Sequence, residues 1–186
     1  MKLNEVLAHT PLAGRYWVWG GMLLGWAREG RLLAGDCDVD FGLFREDLPN
    51  FWQSAGTIEK AGFRLNRALT NSSGKLTEFI FLRRYLKYEF FVVDRLPEAY
   101  QYWTYYPPKR LEMRCSIPAF KLAPFELFDR TWRKPEDHDV HLTAVYGNWR
   151  LPDPDYWYVD DERSIVERTE WRGRVIWAPT SLETSR

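Results

Sequence analysis

The stretch Gly20 to Gly42, GGMLLGWAREGRLLAGDCDVDFG, limits the possible folds of this chain more than any other. Arg15 to Trp19 (RYWVW) reads as a strand running into Gly20-Gly21, and Met22 to about Glu29 reads as a helix stopped by Gly30. Glycines at such a junction let backbone N–H groups approach a phosphate, and a helix N-terminus adds favourable partial charge. Farther on, Asp36, Asp38 and Asp40 alternate with Cys37, Val39 and Phe41. Strand alternation puts the three aspartates on one face and the other residues on the opposite face. Carboxylates crowded on a half-buried strand are costly unless a cation neutralises them. Oxygen ligands select Mg²⁺ or Mn²⁺ over a softer metal. The competing reading is a solvated acidic edge strand.

A metal site of this kind needs a further carboxylate from a neighbouring strand. Tyr85 to Val93 (YLKYEFFVV) supplies Glu89 in mid-strand, and Asp94 follows at the strand end, where a turn role is expected. Glu89 is therefore the preferred third ligand beside Asp38 and Asp40, although pairing of Glu89 with Lys87 or Arg84 on an outward face is the alternative. Other elements complete a mixed pattern. Residues 3–9 read as a short helix, Asp38 to Phe44 as a strand, and Asp47 to about Gly62 as an amphipathic helix burying Phe51, Trp52, Ile58 and Ala61. Phe63 to Thr70 and Lys75 to Arg83 read as strands around the turn Asn71-Ser72-Ser73-Gly74. The order predicts an α+β, α/β-like mixed sheet with packed helices.

After Pro97 the chain reads as an irregular, aromatic and proline-rich part. Phe125 to Trp132 is expected as a hairpin arm, Pro135 to Tyr146 as a helix stopped by Gly147, and residues 148–158 as a loop. The expected organisation is one domain over 1–178, with a core at about 10–97, a C-terminal part at about 98–178, and a flexible tail at 179–186.

Composition narrows the partners. Twenty-six acidic and 26 basic residues cancel, so no global field attracts nucleic acid. The two cysteines, Cys37 and Cys115, are too few for a disulfide scaffold. No apolar run predicts a membrane span or a signal peptide, so a cytoplasmic protein is expected, with peripheral membrane association left open. His138 and His141 can share a helix face, but no cysteine or third histidine stands at zinc-ligand spacing. Ten Trp, ten Tyr and eleven Phe suit a core or a sugar- and base-binding cleft. Tyr146, Trp149, Tyr156 and Trp157 can stack on such a ligand or pack beneath the C-terminal loop.

Three ordered blocks over roughly residues 16–157 resemble the LicD and fukutin-related family of phosphotransferases. The first carries Gly21, Leu23-Leu24-Gly25, Arg28, Gly30, Asp36, Asp38 and Asp40. The second, EFFVVDRLP, is similar to the family's acidic strand ending in Asp-x-Leu-Pro and places Glu89 at the acidic position. The third, KPEDHDVHLTAVYGNW, matches through Pro135, Leu142 and Tyr146-Gly147. The chain departs from the pattern at Met22, at Ala34-Gly35, and in having Glu rather than Asp at position 89.

The resemblance implies a nucleotidyltransferase-type fold. It also implies transfer of a phospho-alcohol, such as phosphocholine or ribitol or glycerol phosphate, from a CDP-linked donor to a glycan hydroxyl. Asp38, Asp40 and Glu89 would then hold Mg²⁺ or Mn²⁺, and Asp36 or Glu89 would complete the shell or take the acceptor's proton. Gly20, Gly21, Arg28, Tyr146 and Gly147 are the candidate substrate contacts, Arg28 for a phosphate. Two rivals stand beside this expectation: transfer of a nucleoside monophosphate to a small molecule or protein, and a non-catalytic metal- or nucleotide-binding module.

Overall fold

The computed structural model describes residues 2–178; the tail expected at 179–186 lies outside the described residues. In chain order the elements are α1 (Lys2–Leu7), β1 (Tyr16–Val18), α2 (Gly20–Glu29), β2 (Asp38–Phe44), α3 (Leu48–Lys60), β3 (Arg64–Thr70), β4 (Leu76–Arg83), β5 (Leu86–Arg95), β6 (Ala99–Tyr106), β7 (Leu111–Pro118), β8 (Leu122–Glu126), β9 (Thr131–Pro135), α4 (His138–Tyr146), α5 (Tyr158–Asp161), β10 (Ile165–Glu170) and β11 (Val175–Trp177). The result is the expected α+β mixed sheet with packed helices.

Strands pair in the order β10-β7-β6-β5-β4-β3-β11, and β2 branches from β5 with β1 on its far side. The β2–β5 pair is parallel, with Asp38 opposite Lys87 and Asp40 opposite Glu89. The β4–β5 pair is antiparallel, with Ile80 opposite Glu89. Only the end of β5, at Asp94 and Arg95, pairs with β6.

Alternation then sorts the side chains. Val39, Phe41 and Leu43 of β2, Phe79 and Phe81 of β4, and Tyr88, Phe90 and Val92 of β5 form one apolar face, joined by Phe51 and Ile58 of α3. Burying each such phenylalanine contributes about 1.5–3 kcal/mol. Asp38, Asp40, Lys87, Glu89 and Glu78 are left on the opposite face, towards β6. A second apolar cluster, with Trp17, Trp19, Phe44, Tyr102, Cys115 and Val145, ties β1 to β6, β7 and α4. Gly42 belongs here by necessity: a Cβ would overlap the Trp17 ring.

Several expectations change. The acidic strand begins at Asp38, so Asp36 stands before it. Trp52 is half exposed, because the buried stripe of α3 is Phe51, Ser54 and Ile58. Pro135 closes β9 instead of opening a helix; α4 starts at His138, capped by Asp137, whose side chain accepts from the Val140 N–H. The region after residue 97 is more regular than the irregular part expected. Pro107-Pro108 form the turn between β6 and β7, and Pro118 ends β7. β11 returns to pair with β3, opposite Arg67, Ala68 and Leu69. Both cysteines are free thiols. No described helix is long and apolar enough to cross a membrane.

Candidate active site

The polar face of β2, β5 and β4 floors a cleft of about 590 Å³. Tyr102, Tyr105, Tyr146, Tyr156, Tyr158 and Trp177 contribute its aromatic walls. The parallel register sets Asp40 directly across from Glu89, and alternation puts Asp38 on the same side. One carboxylate oxygen each from Asp38, Asp40 and Glu89 lies within 4.8 Å of the other two.

The junction before α2 is shaped around these acids. Gly20 has φ +53°, and a Cβ there would overlap Asp40 Oδ2. A Cβ on Gly21 would likewise overlap Asp36 Oδ2. Trp19, extended and without a side-chain cap, leaves the first N–H groups of α2 uncapped beside the carboxylates. Asp36 folds back on Asp38, accepting from its backbone N–H at 3.4 Å.

Electrostatics follows from this crowding. Burial, then repulsion from Glu89, Asp38 and Asp36, pushes the Asp40 carboxyl well above the usual range. Burial and a hydrogen bond to Asp38 push Asp36 up to about 6. Burial alone would raise Asp38, but hydrogen bonds from Asp36 and Lys87 outweigh it and hold Asp38 below its ordinary value. Lys87 Nζ lies 2.7 Å from Asp38 Oδ2 and 2.9 Å from Glu89 Oε2. Burial would lower the Lys87 value, yet these acids, Glu89 foremost, raise it.

The donor set fits a hard divalent cation. All three ligands are carboxylates, and Asp40 Oδ1 is buried with no hydrogen-bond partner among the described residues. A buried oxygen left unpaired is costly, and a cation would satisfy it. Such an ion can be held by Asp38, Asp40 and Glu89, with the Lys87 ammonium shifted aside.

The remaining candidates separate. Gly20 and Tyr146 line the cleft, whereas Gly21 abuts Asp36 and Gly147 caps α4. Arg28 sits in the last turn of α2, in a neighbouring hollow behind Tyr146 and Tyr156. Asp94 is held by Arg45 and Lys75 at the far end of β5. His141 is buried against Trp19 and Phe120, and burial lowers it to about 4, so it packs as a neutral ring.

Two acids escaped the sequence reading. Glu78 of β4 is buried beside Glu89, and burial with the Glu89 charge pushes it well above the carboxylate range. It shares a strand face with Ile80, but its place beside Glu89 comes from the β4–β5 pairing, which its own segment does not reveal. Glu162 lines the opposite wall, accepting from the hydroxyls of Tyr102 and Ser164, the latter at 2.6 Å. It lies in a charged run, DDER, with no pattern that marks it as buried.

Parts of this chain are similar to known proteins. Ribitol 5-phosphate transferase FKRP of Mus musculus and that of Homo sapiens are each 40% identical to this chain over 60 residues, covering 30% of this chain. The match takes in only 12% of the length of those curated relatives. Among solved structures, lincosamide antibiotic adenylyltransferase LnuA, lincomycin-bound, aligns with TM-score 0.45 and 11% identity over 78% of this chain and 84% of that one. ANT(2")-Ia in complex with adenylyl-2"-tobramycin aligns with TM-score 0.46 and 16% identity over 84% and 79%. A family model described as LicD/FKTN/FKRP, nucleotidyltransferase domain, matches residues 14–127, the stretch that contains the glycine junction, the aspartate strand and Glu89. That match takes in more than half of the chain, which therefore belongs to the LicD/FKTN/FKRP nucleotidyltransferase-domain family.

Proposed function

We propose that the protein is a metal-dependent phosphotransferase that moves a phospho-alcohol, such as phosphocholine or ribitol or glycerol phosphate, from a CDP-linked donor to a glycan hydroxyl. The observation that carries this reading is the convergence of Asp38, Asp40 and Glu89, with an unpartnered Asp40 oxygen, on the floor of an aromatic cleft. Bound Mg²⁺ or Mn²⁺ would neutralise the donor's diphosphate and the charge that develops on CMP. The protein's part is to position and to exclude water. Gly20 makes room for the Asp40 carboxylate, and the uncapped N–H groups at the start of α2 are available to a phosphate oxygen. Tyr146 and Tyr156 offer ring faces to cytosine or to a sugar.

The acceptor oxygen bonds to the phosphorus that bears the alcohol, the bond from that phosphorus to the CMP oxygen breaks, and the hydroxyl proton passes to a carboxylate. Asp36, which folds back on Asp38, or Glu89, which lies across from Asp40, would take that proton.

CMP release from CDP-ribitol, CDP-glycerol and CDP-choline, assayed with Mg²⁺ and a glycan acceptor, tests the reading. Asp38→Asn and Asp40→Asn should each cut the rate by about 10²-fold or more without unfolding the protein. Unchanged rates in both variants would overturn it. Pyrophosphate release from a nucleoside triphosphate, with no CMP from any CDP-alcohol, would move the chain to nucleotidyl transfer.

A further inference from the structure

A second hollow of about 350 Å³ opens on the other side of Tyr146 and Tyr156, whose rings stand 5.3 Å apart and line both spaces. Its chemistry is the reverse of the acidic cleft. Arg28 enters from α2 with its side chain only 16% exposed, and Arg163 enters from the segment after α5. Among the described residues, Arg28 has one carboxylate within ion-pair distance, Glu29 at 3.3 Å, which is shared with Arg31 at 2.9 Å. The Nε of Arg28 is buried without a hydrogen-bond partner among the described residues, and so is the Nε1 of Trp149 in the same wall. Arg163 makes no salt bridge among the described residues; its guanidinium rests on Gly147, where a Cβ would overlap it and where φ is +68°. Gly147 therefore does more than stop α4, because it makes the space in which Arg163 lies. The one carboxylate of this lining, Asp153, is turned to its own loop and accepts from the Asp155 N–H at 3.0 Å.

Unpaired buried donors are costly, and here they gather with two guanidinium groups in one hollow. The ligand that answers such a set is a multivalent oxygen acceptor with negative charge, since planar guanidinium forks match phosphate and carboxylate. The acidic cleft cannot serve a second anion, because Asp36, Asp38, Asp40, Glu78 and Glu89 repel one unless it brings its own cation.

We infer that the Arg28–Arg163 hollow binds an oxyanion, a phosphate or carboxylate group carried by the acceptor, one tyrosine's width from the acidic cleft. Its assignment to the acceptor rests on the proposed transfer reaction; the binding of an oxyanion does not.

Calorimetric titration of protein stripped of metal and then dialysed free of chelator, at low salt, separates the two. Glycerol 3-phosphate and glucuronate are the probes, and glycerol is the neutral control. Wild-type protein should bind at least one of the two anions and not glycerol, and the preferred anion identifies the acceptor's charged group. Arg163→Gln and Arg28→Gln should each weaken that binding about tenfold or more. Arg163 is exposed, so its variant keeps the test valid should Arg28→Gln not fold. Equal affinity in Arg163→Gln and wild type, or no anion binding by the metal-stripped, chelator-free protein, would overturn the inference. Absence of CMP release from the wild-type protein would instead overturn the transfer reaction and leave the titration to decide the anion seat.

Discussion

Lys87 is the residue on which the charge balance of the cleft turns. Its ammonium supplies, from within the chain, part of the positive charge that the acids require. Lys87→Met should lower the melting temperature of the metal-free protein by an amount equivalent to about 1 kcal/mol, since Lys87 and Asp38 are partly exposed although Glu89 is buried. The same change should tighten Mn²⁺ binding by about fivefold, because the ion no longer displaces a competitor. Weaker Mn²⁺ binding in the variant would show that Lys87 supports the ion instead. Lys87 was visible in the sequence only as an alternative partner for Glu89. Asp38, Asp40 and Glu89 were legible because spacing on a strand fixes the face on which a side chain lies. Glu78 and Glu162 were not, because burial of a lone glutamate depends on strands and walls contributed from elsewhere in the chain.

At the scale of elements, the N-terminal half, to about the end of β5, followed its hydrophobic pattern closely. The helix α2 stops where glycine was expected to stop it, with Gly30 left-handed at φ 68°. The later strands were hidden for a physical reason. Prolines mark breaks, but Pro107-Pro108 sit in the turn that joins β6 to β7, where a break assists pairing. β10 and β11 are short and mostly exposed, so neither carries the alternation that reveals a half-buried strand. β1 and β2 illustrate how tight the pairing is where it matters. The buried Trp17 ring lies against Gly42, so Gly42→Ala should overpack this junction and cost about 1–3 kcal/mol, read as a lowered melting temperature. An unchanged melting temperature would show that the ring has room to move.

For the molecule as a whole, β5 is the pivot: it pairs with β2 and β4 along most of its length and hands its end to β6, so the cleft opens where the two halves of the sheet diverge. Concentrating acids there makes the metal-free fold sensitive to pH. Asp36, raised to about 6, and the more strongly raised Asp40 and Glu78 bind protons more tightly folded than unfolded. Their contribution is fully present below the ordinary carboxylate values near 4 and is lost as pH rises through about 6 and beyond. Asp38, which is lowered, acts in the opposite sense, and only below those ordinary values. In EDTA the melting temperature should therefore fall between about pH 6.5 and 8 on account of these groups; below that window His141, lowered by burial to about 4, adds stability as pH rises and opposes them. Saturating Mg²⁺ should reduce or reverse that trend, because metal and protons compete for the same oxygens. A metal-free melting temperature that rises over this range would contradict the placement of these acids.

Mn²⁺ binding followed by electron paramagnetic resonance, with and without a CDP-alcohol, bears most directly on whether the acids of β2 and β5 form a seat for a cation and its diphosphate. Wild-type protein should bind Mn²⁺ more tightly when the CDP-alcohol is present, and Asp40→Asn and Glu89→Gln should each lose at least about tenfold in affinity. Mn²⁺ binding that is the same in wild type and both variants, or indifferent to the CDP-alcohol, would contradict it.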